Sequence, residues 1–329
     1  MLRQSALWLG LFMAGAFLTE AGLAPLAMML FPVPAAVFWA CGRRGPALMT
    51  LAWAGVSVLA GYGLRIALLR AAGVEPEVFG MGWLVVGFAA ALVASGGVVL
   101  GGMIRSGSSF GRCVAALSLL YFGLIGAETA VLWDQTRDAW TVFMNARTAE
   151  LEEAGNTAMA ELLRWFDGHW AYVGFGMLYS GLLLAVSLQA VVVFRWLRAN
   201  PDQAAGVEPN GQFKTMRPPE WLVWLAIAAA LLWLADNRWP NETVRFVSWN
   251  TAMALFTVYW LNGLGIALCG LQAFGARAGM QALLLGLLFL SGMHQGLAVF
   301  GLFDTWFEHR IALARLAAAW RERNRDRDG

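Results

Sequence analysis

The sequence predicts an all-α protein: a polytopic transmembrane helical bundle of about eight spans, with a broken N-terminal helix and an amphipathic C-terminal helix. Three observations predict it. Hydrophobic residues make up 59% of the 329 residues and charged residues 13%, against roughly 25% charged in a soluble domain. Mean hydropathy is +0.60. Several apolar runs also reach the roughly 20 residues that cross about 30 Å of hydrocarbon. The 17 Trp and 37 Gly fit the same class, since Trp favours membrane interfaces and Gly lets membrane helices approach closely.

The first run, 5–41, continues from MLRQSALWLGLFMAGAFLTE through AGLAPLAMMLFPVPAAVFWAC. That reads as the first helical unit of a polytopic chain, not a cleaved leader. It is too long for one span. Thr19 and Glu20 interrupt it, and Pro25, Pro32 and Pro34 each remove a backbone donor, so two short helices or a span plus a re-entrant segment both fit. Further spans are expected near 46–64, 81–103, 113–133, 170–194, 221–235, 248–272 and 280–303.

Charge orients these spans. If 5–41 forms a hairpin, Arg3, Arg43, Arg44, Arg105, Arg112, Arg195, Arg198, Lys214, Arg217 and Arg277 share one side, which the positive-inside rule makes cytoplasmic. Residues 134–169 then form an acidic extracytoplasmic loop. Its apolar residues recur at helical spacing around a Gly155-Asn156 interruption, predicting one or two amphipathic helices on the outer surface or packed over the bundle. The segment 199–220 is an irregular cytoplasmic loop, with Pro218 and Pro219 suited to the first turn of the next span. A single crossing by 280–303 would carry the arginines of the tail outside, whereas a bend at Ser291-Gly292 would return them. The chain thus divides into N-terminal membrane helices (1–133), the acidic loop (134–169), C-terminal membrane helices (170–303) and a basic amphipathic tail (304–329).

Polar residues inside apolar runs mark candidate sites, because an ionised group is costly in hydrocarbon. Glu20, at the predicted helix break, and Glu128 are candidates for ligand binding or proton coupling; the plainer reading puts each near a headgroup interface. Asn262 lies between small residues in YWLNGLG, where an interhelical hydrogen bond competes with ligand contact. His294 and Gln295 sit between Gly292 and Gly296 and read either as a relay or substrate contact or as a satisfied core pair. In GLFDTWFEHR (301–310), Asp304, Trp306 and Arg310 are expected to be structural or partner-facing. Asp304 would cap the next helix or pair with an arginine, and Trp306, His309, Leu313, Leu316 and Trp320 would line one face of that helix.

Catalytic signatures are missing. The chain has no HExxH, GxSxG or Walker A sequence, and its three histidines are dispersed, so no catalytic residue, metal site or cofactor is expected. Cys41, Cys113 and Cys269 lack CxxC spacing and read as packing residues. Asn241-Glu242-Thr243 matches a glycosylation triplet, a weak three-residue signal.

The stretches FKTMRPPEWLVW (213–224), YWLNGLGIALCGLQAF (259–274) and GLFDTWFEHR (301–310) resemble the YybS-like, or DUF2232, family of bacterial polytopic membrane proteins. The likeness extends over roughly 5–315. Its most specific part is the last, where Gly301, Asp304, Trp306, Phe307, Glu308 and Arg310 match and His309 departs from a commonly aromatic position. A distant grouping with the substrate-binding components of energy-coupling-factor transporters implies a helical bundle with an outward pocket and a cytoplasmic partner surface. The resemblance therefore implies a multi-pass protein of the bacterial cytoplasmic (inner) membrane, in contact with membrane lipid and with a membrane or cytoplasmic protein partner, and not with nucleic acid. Its expected role is a transport-related substrate-binding or coupling component for a small solute. The alternative is a structural or assembly factor of an envelope complex.

Overall fold

A computed structural model describes residues 32–56, 82–131, 133–204, 207 and 210–328. Most of the 5–41 element, including Glu20 and Pro25, lies outside the described residues, as does much of the 46–64 span. Among the described residues the secondary structure is helical, without strands. We label the helices α1 (Pro32–Ala40), α2 (44–56), α3 (Gly82–Arg105), α4 (Phe110–Val131), α5 (Trp133–Glu153), α6 (Thr157–Ala199), α7 (Trp221–Arg238), α8 (Glu242–Ala273), α9 (Ala278–Leu290), α10 (Gly296–Phe307) and α11 (His309–Asp328).

Four of these pass the test of length and apolarity for crossing a membrane: Phe110–Glu128, Tyr172–Ala199, Trp221–Arg238 and Glu242–Ala273. A fifth is the pair α9 and Met293–Phe307, bent by 102° at its break. The described residues thus support four to five of the eight expected spans. The bend falls where Gly292 takes the left-handed backbone (φ 72°), a conformation glycine adopts without a Cβ penalty. A single-turn 3-10 helix, Met293–Gln295, follows it.

The chain forms two compact units, 1–167 with 185–210 and 168–184 with 211–329. In the first, α3 packs on α1 through Gly97 and Gly101; a Cβ on Gly101 would stand 2.5 Å from the carbonyl oxygen of Ala36. Phe110 of α4 meets Phe194 edge to face at 5.3 Å. The acidic loop is helical: α5 ends at a turn in which Gly155 has φ 73°, Asn156 caps α6 by accepting from the Met159 N–H, and Arg164 pairs with Glu152 across the turn.

In the second unit, α7 packs on α8 through Val223, Leu255 and Tyr259, with Leu302 of α10 against the same cluster. The middle of α6 docks on α8, where the Gly176 N–H donates to Asn250 Oδ1 at 2.6 Å. Helix α10 crosses α8 at glycines on both sides. A Cβ on Gly263 would stand 1.8 Å from the Leu297 oxygen, and one on Gly301 would stand 1.9 Å from the Tyr259 oxygen. Helix α11 returns along α8, with Leu313 over Gly270.

Candidate functional site

The polar centre of the second unit is built by the corner between α10 and α11. Helix α10 stops because Glu308 adopts the left-handed conformation (φ 46°), the single positive φ at a non-glycine among the described residues. Such a conformation is costly for a residue with a Cβ. Helix α11 starts at once, with the N–H groups of Ile311 and Ala312 donating to the Glu308 carbonyl. Residues 304 and 310 are six apart, and in an unbroken helix their side chains would diverge by roughly 120°. The corner brings them together.

Arg310, 8% exposed, fills the space so formed. Its Nη1 donates to Asp304 Oδ2. Nε donates to the carbonyl of Lys214 at 2.8 Å, and Nη2 to the carbonyl of Met216 at 2.9 Å and to Asn262 Oδ1 at 2.8 Å. Asn262, 1% exposed, turns its amide the other way and donates to the Gly301 carbonyl at 2.7 Å. One guanidinium therefore joins α8, α10, α11 and the segment before α7. Burial pulls its pKa down from the ordinary value, and the Asp304 charge opposes that shift.

Asp304 itself is 2% exposed. Its Oδ1 and Nδ1 of His309 are both buried without a hydrogen-bond partner, and they face each other at 3.7 Å. The His309 ring lies beside the edges of Phe300 and Phe307 at 6.3 and 6.0 Å. Farther out, Lys214 Nζ donates to Gln272 Oε1 at 2.8 Å and Arg217 stands 3.6 Å from Glu308 in an exposed pair.

Of the two expectations for Asp304, the pair with an arginine forms and the cap does not. Asp304 lies inside α10, accepts from Arg310 and takes no backbone N–H. The inner face of α11 differs too: Arg310, Leu313 and Ala317 carry its burial, while Leu316 is 59% exposed. Trp306 is exposed beside Phe303. His294 stacks on Phe289 at the bend, its Nδ1 buried without a partner, and Gln295 is exposed next to it. Glu128 is half-buried near the end of α4 in the first unit, and Glu20 lies outside the described residues. Of the expected residues, the structure brings together Asn262, Asp304 and Arg310.

A second Asp–Arg pair joins α7 to α8. Asp236 accepts from Arg245 Nε at 2.9 Å and from the Asn241 N–H at 3.0 Å. Asn241 in turn caps α8 by accepting from Thr243 and Val244 N–H, which assigns the glycosylation-like triplet a structural use. Arg245 also lies over the Tyr172 ring at 5.5 Å.

Sequence reasoning placed His309 on a face of the following helix, not beside Asp304, and did not single out the carbonyls of Lys214 and Met216. A signal for the carbonyls was present. Pro218 and Pro219 stop regular structure, and Met216, two residues ahead of them, is extended (φ −63°, ψ 128°). Carbonyls in such a segment lack helical donors and are open to a guanidinium.

The family model for DUF2232, described as a predicted membrane protein, matches residues 66–305. No curated protein matches the chain, and no solved structure does.

Proposed function

Because the chain belongs to the DUF2232 family of membrane proteins, we propose that it is the membrane-embedded coupling component of a small-solute transport system in the bacterial cytoplasmic membrane, and that it is not an enzyme. One observation carries this reading: Arg310 bonds at once to the bent α9–α10 element through Asp304, to α8 through Asn262 and to the segment before α7 through two carbonyls. A movement of the bent pair is thereby tied to a segment outside the spans. Broken helices with buried polar groups are a recurrent device of transporters, and interior charge in a membrane protein marks a functional site by default.

The same contacts support an orientation. Arg310 reaches Lys214 and Met216, so the start of α11 shares a side with the 211–217 segment. With that segment cytoplasmic and 134–169 outside, the bend returns the basic tail to the cytoplasm, in accord with the charge rule.

The test is purification of the tagged full-length chain from native membranes after crosslinking, with identification of both the small molecules and the proteins retained, alongside solute uptake by cells lacking the gene. A specific solute defect together with a transport partner supports the proposal. Unchanged uptake and retention of envelope-assembly proteins would replace it with the second reading, a structural or assembly factor. That reading has its own support, since the polar groups of Asn262 and most of those of Arg310 are engaged inside the protein.

A further inference from the structure

We propose that Asp304 and His309 form a proton-binding site that locks the α10–α11 corner when occupied. The ligand is a proton from the aqueous phase. It binds at His309 Nδ1, and the resulting N–H donates to Asp304 Oδ1; no covalent bond other than N–H is made or broken.

The geometry carries the argument. Asp304 is 2% exposed and already gives Oδ2 to Arg310, while its other oxygen has no partner. A buried carboxylate oxygen left without a donor is unfavourable. The nearest complementary atom is His309 Nδ1, 3.7 Å away and equally unpartnered. That gap is too long for a hydrogen bond and wider by about 1 Å than a charge-assisted one. A neutral ring presenting its Nδ1 lone pair has nothing to offer the carboxylate, and it keeps the gap. An imidazolium presents N–H and a positive charge, and it closes the gap.

The charged and titratable groups on the elements packed at the corner are mostly engaged elsewhere. From α11 and the corner come Arg310, held by Asp304, Asn262 and two carbonyls, and Glu308, paired outward with Arg217. The segment before α7 contributes Lys214, whose Nζ is on Gln272. Helix α8 contributes Asn262, whose amide is on the Gly301 carbonyl, Tyr259, whose buried hydroxyl has no partner, and Cys269 near Arg310. Helix α7 offers apolar Leu222, Val223 and Ala226, and His294 stacks at the bend on Phe289. His309 is one residue past the left-handed Glu308, so closing its bond to α10 fixes the angle at which α11 leaves. The inference goes beyond the transport reading, since it holds whatever the protein couples to.

The experiment uses full-length protein in lipid nanodiscs with 15N-labelled histidine; the His309 signal is the one missing from His309→Phe, a change that keeps an aromatic ring beside Phe300 and Phe307. At about pH 5 the Nδ1 proton of His309 is expected to exchange with water at least about tenfold more slowly than in Asp304→Asn, as a hydrogen-bonded proton should. The second measurement is the thermal midpoint. The folded state gains the charge-assisted bond only when the ring carries its second proton, so the margin of wild type over His309→Phe should be larger at low pH than at high pH. If Asp304→Asn does not fold, this second measurement decides alone. A His309 proton exchanging at the solvent rate at low pH, or a margin that does not change with pH, would overturn the proposal.

Discussion

Two Asp–Arg pairs stand in the same unit and behave as opposites. At the α7–α8 turn, Asp236 uses both oxygens, one on Arg245 and one on the Asn241 N–H, and the Arg245 side chain is 36% exposed. At the α10–α11 corner, Arg310 has a surplus of partners, its side chain is 9% exposed and one oxygen of Asp304 has none. The first pair closes a turn between neighbours in sequence. The second ties together segments up to 96 residues apart. Charge pairs open to water add little because solvent screens them and side chains lose freedom. A buried pair gains little net stability when made but costs much when one partner is removed. The difference teaches that the corner pair specifies an arrangement, while the turn pair trims one.

The strongest way to break the comparison is to empty the corner. Arg310→Ala leaves Asp304 buried without its countercharge and removes the donors to Lys214, Met216 and Asn262. Loss of one partner of a buried pair costs about 3–5 kcal/mol, so little folded protein should survive extraction and thermal unfolding should start far below wild type. Arg310→Lys keeps the charge but lacks the planar fork needed for divergent acceptors. It is expected to fall between Ala and wild type, and a lysine variant as stable as wild type would show that charge alone suffices.

Close helix approach is the next lever. Asn262 reaches the Gly301 carbonyl because α8 and α10 cross at glycines, and an alanine Cβ at 301 would sit 1.9 Å from the Tyr259 oxygen and 2.7 Å from the Gly263 nitrogen. Backbone must shift. Overpacking of this kind costs about 1–3 kcal/mol, so Gly301→Ala should lower the thermal midpoint and loosen the corner pair while leaving the α7–α8 turn intact. Protection of the α10–α11 amides against hydrogen exchange, compared with that of 236–245, separates the two effects.

Much of the helix placement was legible in the sequence, for stated reasons. Long apolar runs place α4, the later part of α6, α7 and α8, and a Ser291-Gly292 bend is what a left-handed glycine produces. The small residues around Asn262 announce an interhelical amide bond in kind, though not its partners. What could not be read was the corner. Glu308 carries no sequence sign of a positive φ, so the sequence offers Asp304 a cap or an arginine partner without showing the corner that makes Arg310 that partner. His309 reads as a face residue of the next helix for the same reason: the group it meets is across the corner, not along that face.

The turn pair should yield the smallest effects. Asn241→Ala removes the side chain that accepts from Thr243 and Val244 N–H at the start of α8, and loss of such a cap costs about 0.5–2 kcal/mol. The backbone N–H of Asn241 remains, so Asp236 keeps that contact. Arg245→Lys should do less still. Its single Nε bond to Asp236 is within reach of an ammonium, Asp236 keeps the Asn241 N–H, and water reaches the half-exposed Arg245 side of the pair. The contact over Tyr172 survives with any cation. The expected outcome is a thermal midpoint near that of wild type, with the remaining difference shrinking as salt is raised, because Arg245 is reached by ions on its water-facing side. The matched Arg310→Lys loss should be insensitive to salt, since its partners are out of reach of ions. Equal losses from the two lysine substitutions, or equal responses to salt, would erase the distinction between an arginine that closes a turn and one that holds a corner.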